Sequence, residues 1–488
     1  MEFVTYEQFG ARADGVTDDM PAIVAAHAYA NEHNLPVRTT ADAHYYIGGR
    51  ALTAEVLTDT DWGTSRFTID DRAVENNRAP LFRVGSRLAP IELKIPALHR
   101  GQKNVGFAPG VDCYVVVTQT NIRRYIRLGA NQNAGSFQTD NFELKADGTI
   151  AHELLWDFDA IDRVSAHPIE TETRRIRGGR FVTIANQEPS TYNYYSRNIV
   201  IARSNVEVSD IHHSVTGEGE TGAPYAGFLT ISGCARVVVR DCFLTSHKIY
   251  VTIGSAGVPV SMGSYDINIG SACDVLFKDC FEENILDRSR WGIVGSNFCK
   301  YVTFDGCVFS RTDAHQGMYN YTIRNCTLGH QGLNAIGFGK LTIENSVLYG
   351  GSLIGFRGDY GSTWHGEVEI KNVLWHPAGG RPVTPCVFGF SNDGQHDFGY
   401  DCAMPEKITV ENLTIDDSAA PADYEAFFLF NNYNGRVNAE NRDSYKAPYP
   451  LAPCRELILR GLKSVQGKPW KLCANENLTP ALRVVEEG

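Results

Sequence analysis

From about residue 200 onward the chain alternates between short β-type runs and single turn residues that are always Asp, Asn or Gly. These punctuation points are Asp210, Asp241, Asp279, Gly306, Asn325, Asn345, Asn372, Asn412 and Gly461. The residue before each is usually polar (Arg240, Lys278, Asp305, Arg324, Glu344, Lys371, Glu411, Arg460), and the residue after it is small or apolar (Ile211, Cys242, Cys280, Cys307, Cys326, Ser346, Val373, Leu413, Leu462). Asp, Asn and Gly tolerate positive φ, so the pattern predicts one sharp bend between two strands, repeated. The intervals of 31, 38, 27, 19, 20, 27, 40 and 49 residues are those of one solenoid coil carrying loops of variable length. The shortest interval holds three short strands and three turns and little else, which predicts a parallel β-helix.

The cysteines fit that register. Twelve Cys in 488 residues would ordinarily raise disulfides or a metal. Cys242, Cys280, Cys307 and Cys326, however, take the same position in successive coils, with Cys234, Cys273 and Cys299 as a second set seven or eight residues earlier. Stacked at about 4.8 Å, they are expected to be unpaired, inward-facing core residues. No Cys-x-x-Cys pair and no His at zinc spacing accompanies them, so no metal and no organic cofactor is expected. Buried thiols favour a reducing, cytoplasmic compartment.

Residues 1–48 carry a different pattern. Asp14-Gly15 reads as a turn, Thr17 and Asp18 as helix N-caps, and Pro21 suits an early helical position. Ile23, Ala26, His27 and Ala30 then recur at helical spacing until Asn34-Leu35-Pro36. Such a helix would cover the open end of the β-helix and shield its first strand edge. Residues 49–195 lack the coil ladder and read as a β-rich insertion or subdomain packed on the first coils, with a hairpin around Ala146-Asp147-Gly148-Thr149. Residues 196–488 form the β-helix with a C-terminal cover loop.

The series Phe9-Gly10-Ala11, Asp14-Gly15 and Thr17-Asp18-Asp19 resembles the N-terminal signature of the pectate-lyase-like superfamily of right-handed parallel β-helix proteins. The resemblance covers about 40 residues by motif and roughly 200–470 by coil pattern. It implies the fold and, for most members, action on carbohydrate polymers. It does not imply one reaction, since the superfamily holds glycoside hydrolases, polysaccharide lyases, fructan transferases and phage tailspikes. The Asn-Thr-Asp, Asp-Asp and Gly-His-Gly signatures of polygalacturonases are absent from residues 200–400, as is the dense acidic cluster of calcium-dependent pectate lyases.

A solenoid places chemistry where neighbouring coils align polar side chains. The coils from Asp279 to Asn372 concentrate such residues. Asp287 lies eight residues past Asp279 and Asp313 seven past Gly306, which predicts neighbouring positions on adjacent coils. Paired carboxyl groups are what glycoside hydrolysis requires. The leading expectation is therefore a glycoside hydrolase with Asp287, Asp313 and Asp359 as acid, base or nucleophile, and His315 beside them. Arg288, Arg290 and Arg357 would hold hydroxyls or carboxylates, His330 shares a His-Gln-Gly frame with His315, and Trp291, Tyr319, Tyr360 and Trp364 would stack on sugars. The alternative is a polysaccharide lyase, with Arg357 or Arg288 neutralising a uronate carboxylate and His315 with Tyr319 as base and acid. A noncatalytic glycan-binding β-helix is the third reading. Each residue also has a plain structural reading, because Asp and Arg in such turns cap backbone groups or pair on the surface for about 0–1 kcal/mol.

A formal charge of -12 argues against a broad nucleic-acid or lipid surface. No stretch approaches a membrane-spanning length, and Met1-Glu2-Phe3 is not followed by a basic then apolar segment. The expected protein is soluble, monomeric or homo-oligomeric, either intracellular or numbered without a signal peptide, with an oligo- or polysaccharide as partner and neither nucleic acid nor membrane.

Overall fold

The computed structural model describes residues 2–191, 193–478 and 482–487. Three parallel β-sheets run side by side along one axis, each strand pairing with its counterpart one coil away. The sheet before the ladder turn contains Thr60–Asp61, Arg174–Arg177, Val206–Ser209, Lys300–Asp305 and Glu456–Arg460, among others. The sheet after the turn contains His44–Ile47, Arg66–Asp70, Arg180–Ile184, His212–Thr216 and Phe281–Glu283. The third contains Phe82–Val84, Ile199–Ile201, Val294–Asn297, Ile354–Phe356 and Cys386–Gly389.

All nine ladder residues have positive φ, from 49° at Asn345 to 68° at Gly306. From Asn325 to Asn412 the side chains form a column of their own. Asn345 Nδ2 donates to Asn325 Oδ1 at 3.5 Å, and Asn372 to Asn345 and Asn412 to Asn372, each at 3.0 Å. Gly461 ends the column because a Cβ there would come within 2.7 Å of Asn412 Oδ1.

Cys242, Cys280, Cys307 and Cys326 are buried, unpaired and part of the apolar core. Cys307 N–H points at Cys326 Sγ at 3.4 Å, and Cys326 N–H donates to Ser346 Oγ at 3.0 Å, so the column continues as a hydroxyl. The second cysteine set is only partly a column. Cys234 pairs in register with Ala272 rather than with Cys273, which pairs with Ala235 and Lys300. Along a strand an offset of one residue reverses the side-chain direction. Cys273 therefore faces outward, where its Sγ meets Asn141 Oδ1 at 2.9 Å.

The helix Met20–His33 buries Met20, Ala22, Ile23, Ala26, His27 and Ala30, has Pro at an early position, and ends at Asn34 with φ 53°. Thr17 and Asp18 are not its N-cap. That place belongs to Asp19, whose carboxylate turns back to accept from Arg12 and Ala13 N–H groups, while Asp18 accepts from Met20 and Gly48 N–H.

The coils begin earlier than the Asp/Asn ladder suggests. Strands Ala54–Val56, Phe82–Val84, Arg174–Arg177 and Arg180–Ile184 all lie in the stacks, with Gly63 (φ 47°) and Gly178 (φ 77°) at the ladder turn. A Cβ on Gly178 would sit 2.5 Å from Gly63 N. Glycine replaces Asn where two turns press this closely. What stands outside the stacks within 49–195 is a three-stranded antiparallel sheet, Cys113–Arg124, Ser136–Leu144 and Arg163–Pro168. The turn at 145–149 closes as expected, but 150–155 contributes only a single bridge at Ile150.

Val115, Val117 and Phe142 of this small sheet, with Phe158 beside them, pack in one cluster with Ile336, Phe338 and Tyr360 of the coils. A fully buried ion pair, Lys300 Nζ to Asp140 Oδ1 at 2.8 Å, joins the two, and Asn141 Nδ2 donates to Phe298 O at 2.7 Å. Docked this way, the loop after Cys113–Arg124 reaches the outer face of the third sheet.

Candidate active site

The outward column of the third sheet runs Thr230, Asn268, Gly295, Asp313, Asn334 and Gly355. Glycine stands on either side of the Asp313–Asn334 pair, and its missing side chains admit neighbouring ones: a Cβ at Gly355 would lie 2.9 Å from Asn334 Oδ1. At Gly295 a Cβ would lie 2.2 Å from the Tyr265 ring, so only glycine admits that ring. Beside Asp313 lies a cleft of about 270 Å³ lined by Arg127, Tyr194, Tyr265, Trp291, Arg311, Asp313, His315 and Arg357, together with Asn131, Val260, Ser261, Gly263 and Ile293.

Asp313 is 1% exposed. Its Oδ2 is held by Arg357 Nη1 at 2.5 Å and Arg311 Nη2 at 3.0 Å, while Oδ1 has no partner. Arg357 follows strand Ile354–Phe356 and grips Asp359 with its other edge, Nε to Oδ1 at 3.1 Å and Nη2 to Oδ2 at 2.9 Å. Arg127, from the inserted sheet, completes the set with Nη2 2.8 Å from Asp359 Oδ2 and its guanidinium 5.1 Å from the Tyr360 ring centroid. The Leu128 N–H donates to Asp359 O at 2.9 Å, which locks that loop to the coil.

The charge states follow from these contacts. Burial alone would raise the Asp313 carboxyl, but Arg311 and Arg357 outweigh it and hold it below the ordinary range. Burial likewise opposes ionisation of Asp359, and Arg357 with Arg127 carries it down to about 2. His315 is pushed down to about 3 by burial and then by Arg357, so its ring is neutral. Its Nδ1 lies 3.0 Å from Asn297 Oδ1, an acceptor, which requires the proton on Nδ1 and leaves the lone pair on Nε2.

Trp291, Asp313, His315 and Arg357 thus line one cleft, with Asp359 and Tyr360 adjoining it. The other expected residues do not converge there. Asp287 lies in an exposed turn accepting from Ser289 N–H at 2.9 Å, in a loop that leaves the stack, so counting from the ladder misplaces it. Arg288 donates to Ala378 O, Arg290 pairs with Glu218, and His330 bonds Arg290 O. Tyr319 packs beside Tyr301 against the inserted sheet. Trp364 is fully buried in the coil core with its indole N–H on Gly339 O, so it has no face for a sugar.

Arg127, Tyr265 and Arg311 belong to the site without having been expected. Arg311 had a signal, since two-residue spacing from Asp313 puts both on one face of a strand. Arg127 had none, because only the docking of the insertion brings it to the coil.

No family model matches the chain. In solved structures the tailspike gp61 of Pseudomonas phage phi297 superposes with a TM-score of 0.51 at 12% identity, over 99% of this chain and 84% of that one. The chain has the right-handed parallel β-helix fold. Gp54 tailspike of Acinetobacter baumannii bacteriophage AP22, solved with A. baumannii capsular saccharide, aligns to this β-helix with a TM-score of 0.46 at 10% identity, over 99% of this chain and 79% of that one. By sequence, the capsule KL64-specific depolymerase of Klebsiella phage P510 is 27% identical over 140 residues, 25% of this β-helix chain and 13% of that protein.

Proposed function

We propose that this β-helix is a polysaccharide-cleaving enzyme that acts on an acidic glycan by β-elimination. The observation that carries the reading is the charge state of the cleft. Three arginines face two carboxylates, a net charge of 3 − 2 = +1, and both carboxylates are held ionised by Arg357. A glycoside hydrolase needs one carboxylic acid protonated at working pH. Neither cleft carboxyl meets that need, whereas a surplus guanidinium beside a neutral histidine suits a uronate.

In this reading an arginine binds the uronate carboxylate and stabilises the charge that develops on it. His315 Nε2 takes the C5 proton, the electron pair forms a C4=C5 double bond, and the C4–O bond breaks. The leaving oxygen receives its proton from the Tyr265 phenol, which burial keeps protonated and which lines the same cleft. The likeness of 140 residues to a capsule-specific depolymerase supports a capsular polysaccharide as the substrate class. The helix Met20–His33 is read as the cover of the first coil, on the six side chains it buries.

Hydrolysis has one observation in its favour, the buried Oδ1 of Asp313, which has no hydrogen-bond partner and keeps its lone pairs unengaged. A panel of uronate-containing capsular polysaccharides separates the readings. Elimination yields a product with the ultraviolet absorbance of a conjugated double bond. New reducing ends without that absorbance identify a hydrolase, and binding without cleavage identifies a glycan-binding β-helix.

A further inference from the structure

Behind the cleft wall lies a second pair of carboxyl groups, Asp266 and Glu282, each 1% exposed. Each anchors a segment that presents a cleft residue. Asp266 follows Tyr265, and its Oδ2 accepts from Ile293 N–H at 3.0 Å. Glu282 Oε2 accepts from Ser310 N–H at 2.7 Å, directly before Arg311, and Oε1 accepts from Ser246 Oγ at 2.9 Å. Between these anchors Gly292 has φ 50°, and a Cβ there would lie 2.6 Å from both Glu282 Oε1 and Ser246 Oγ. The wall bearing Tyr265, Trp291 and Arg311 is thus anchored on this pair.

We propose that Asp266 and Glu282 are positioning residues that share one proton, carried by Asp266 Oδ1 and donated to Glu282. Hydrogen-bond bookkeeping assigns the carrier. Glu282 Oε2 accepts from the Ser310 N–H and Oε1 lies against the Ser246 hydroxyl as its acceptor, two contacts that suit a carboxylate. Asp266 accepts through Oδ2 alone, and its buried Oδ1 meets no donor. Burial and the neighbouring Glu282 charge both hold the Asp266 proton on. The other titratable and charged groups around the pair are Glu218 and His247 from the preceding coil, Arg290 on Glu218, and Arg311 and Asp313 on the strand after Ser310. Loss of the shared proton leaves two anions face to face and releases the wall, which gives the cleft an alkaline limit set by a pair that touches no substrate.

The proton assignment rests on the hydrogen bonding and burial of the pair, while its effect on turnover rests on the cleft being the reactive site. Infrared spectroscopy of the intact chain tests the first part without activity. A carboxylic C=O stretch should persist at pH well above the ordinary carboxyl range and be absent from Asp266→Asn. Asparagine keeps an acceptor for Ile293 N–H and a donor for Glu282, so this variant should retain turnover and lose the alkaline limit. Glu282→Gln withdraws the charged acceptor of the shared proton and forces the Ser246 hydroxyl to turn from donor to acceptor, so it should lower turnover at least about 10-fold. A wild-type spectrum with no such band, or a Glu282→Gln variant tolerated better than Asp266→Asn, overturns the assignment. A band that behaves as described while no glycan is cleaved leaves the proton in place and removes the catalytic reading instead.

Discussion

The two carboxyl pairs of the cleft wall solve one problem in opposite ways. Asp313, fully buried, and Asp359, half-buried, are kept as anions because Arg357 bridges them, with Arg311 and Arg127 behind. Asp266 and Glu282 have no guanidinium in hydrogen-bond contact and keep a proton instead. Burying an unpaired charge costs several kcal/mol, so each site must supply either a counter-charge or a proton. Residue type therefore says little about charge state here. Whether an arginine reaches the oxygen decides it.

The largest expected effect comes from removing the bridge. Arg357→Ala leaves Asp313 without its nearest cation, with a cost of about 3–5 kcal/mol and loss of measurable turnover; urea unfolding and a glycan-cleavage assay read the two. An Arg357→Ala variant as stable as wild type would erase the contrast between the pairs.

His315→Gln keeps a side-chain donor for Asn297 but removes the imidazole lone pair. Turnover should fall at least about 10²-fold with the unfolding midpoint nearly unchanged. Full activity in this variant would shift attention to Asp313 as nucleophile, and Asp313→Asn would then show the loss.

The pairs should also respond to pH with opposite sign. Asp359, at about 2 in the folded chain against an ordinary 3.8, contributes stability that is present above about pH 4 and lost as pH falls toward about 2. Asp266 and Glu282 have raised values, so the folded chain binds more protons than the unfolded chain, and their contribution is lost as pH rises above the ordinary carboxyl range. Thermal unfolding measured across pH should show the acid flank move in Asp359→Asn and the alkaline flank flatten in Asp266→Asn. Flanks that stay put in both variants would mean that other groups govern the profile.

The smallest effect belongs to the ladder, where nothing is buried at stake. Asn372→Ala keeps φ near 52° with a side chain that dislikes it and breaks two exposed hydrogen bonds, for about 1 kcal/mol, while Asn372→Gly should cost less. Calorimetry distinguishes the two. An equal loss from both would show that the amide column, not the backbone conformation, holds the turn.

The ladder was readable in the chain because tolerance of positive φ is a property of one residue and its own backbone. The same holds for the helix at Met20–His33, which depends on side-chain spacing and an early Pro. Gly63 and Gly178 escaped that reading because glycine serves many turns and only their mutual approach marks them as ladder positions. Cys273 escaped it because side-chain direction reverses with a shift of one residue, which a count between cysteines cannot resolve. Asp313, His315 and Arg357 stood out as a polar cluster, and Asp287 stood out equally, although its loop leaves the stack.

Local sequence thus determined the coil, its turns and its apolar core, since each of these rests on φ preference or side-chain alternation within a few residues. Tertiary structure alone decided the site. Arg127 arrives from an inserted sheet docked by Lys300 and Asp140, Arg357 reaches back across the coils to Asp313, and Trp364 turns inward. Burial and the nearest counter-charge then set which carboxyls are ionised, and both depend on contacts between residues far apart in the chain.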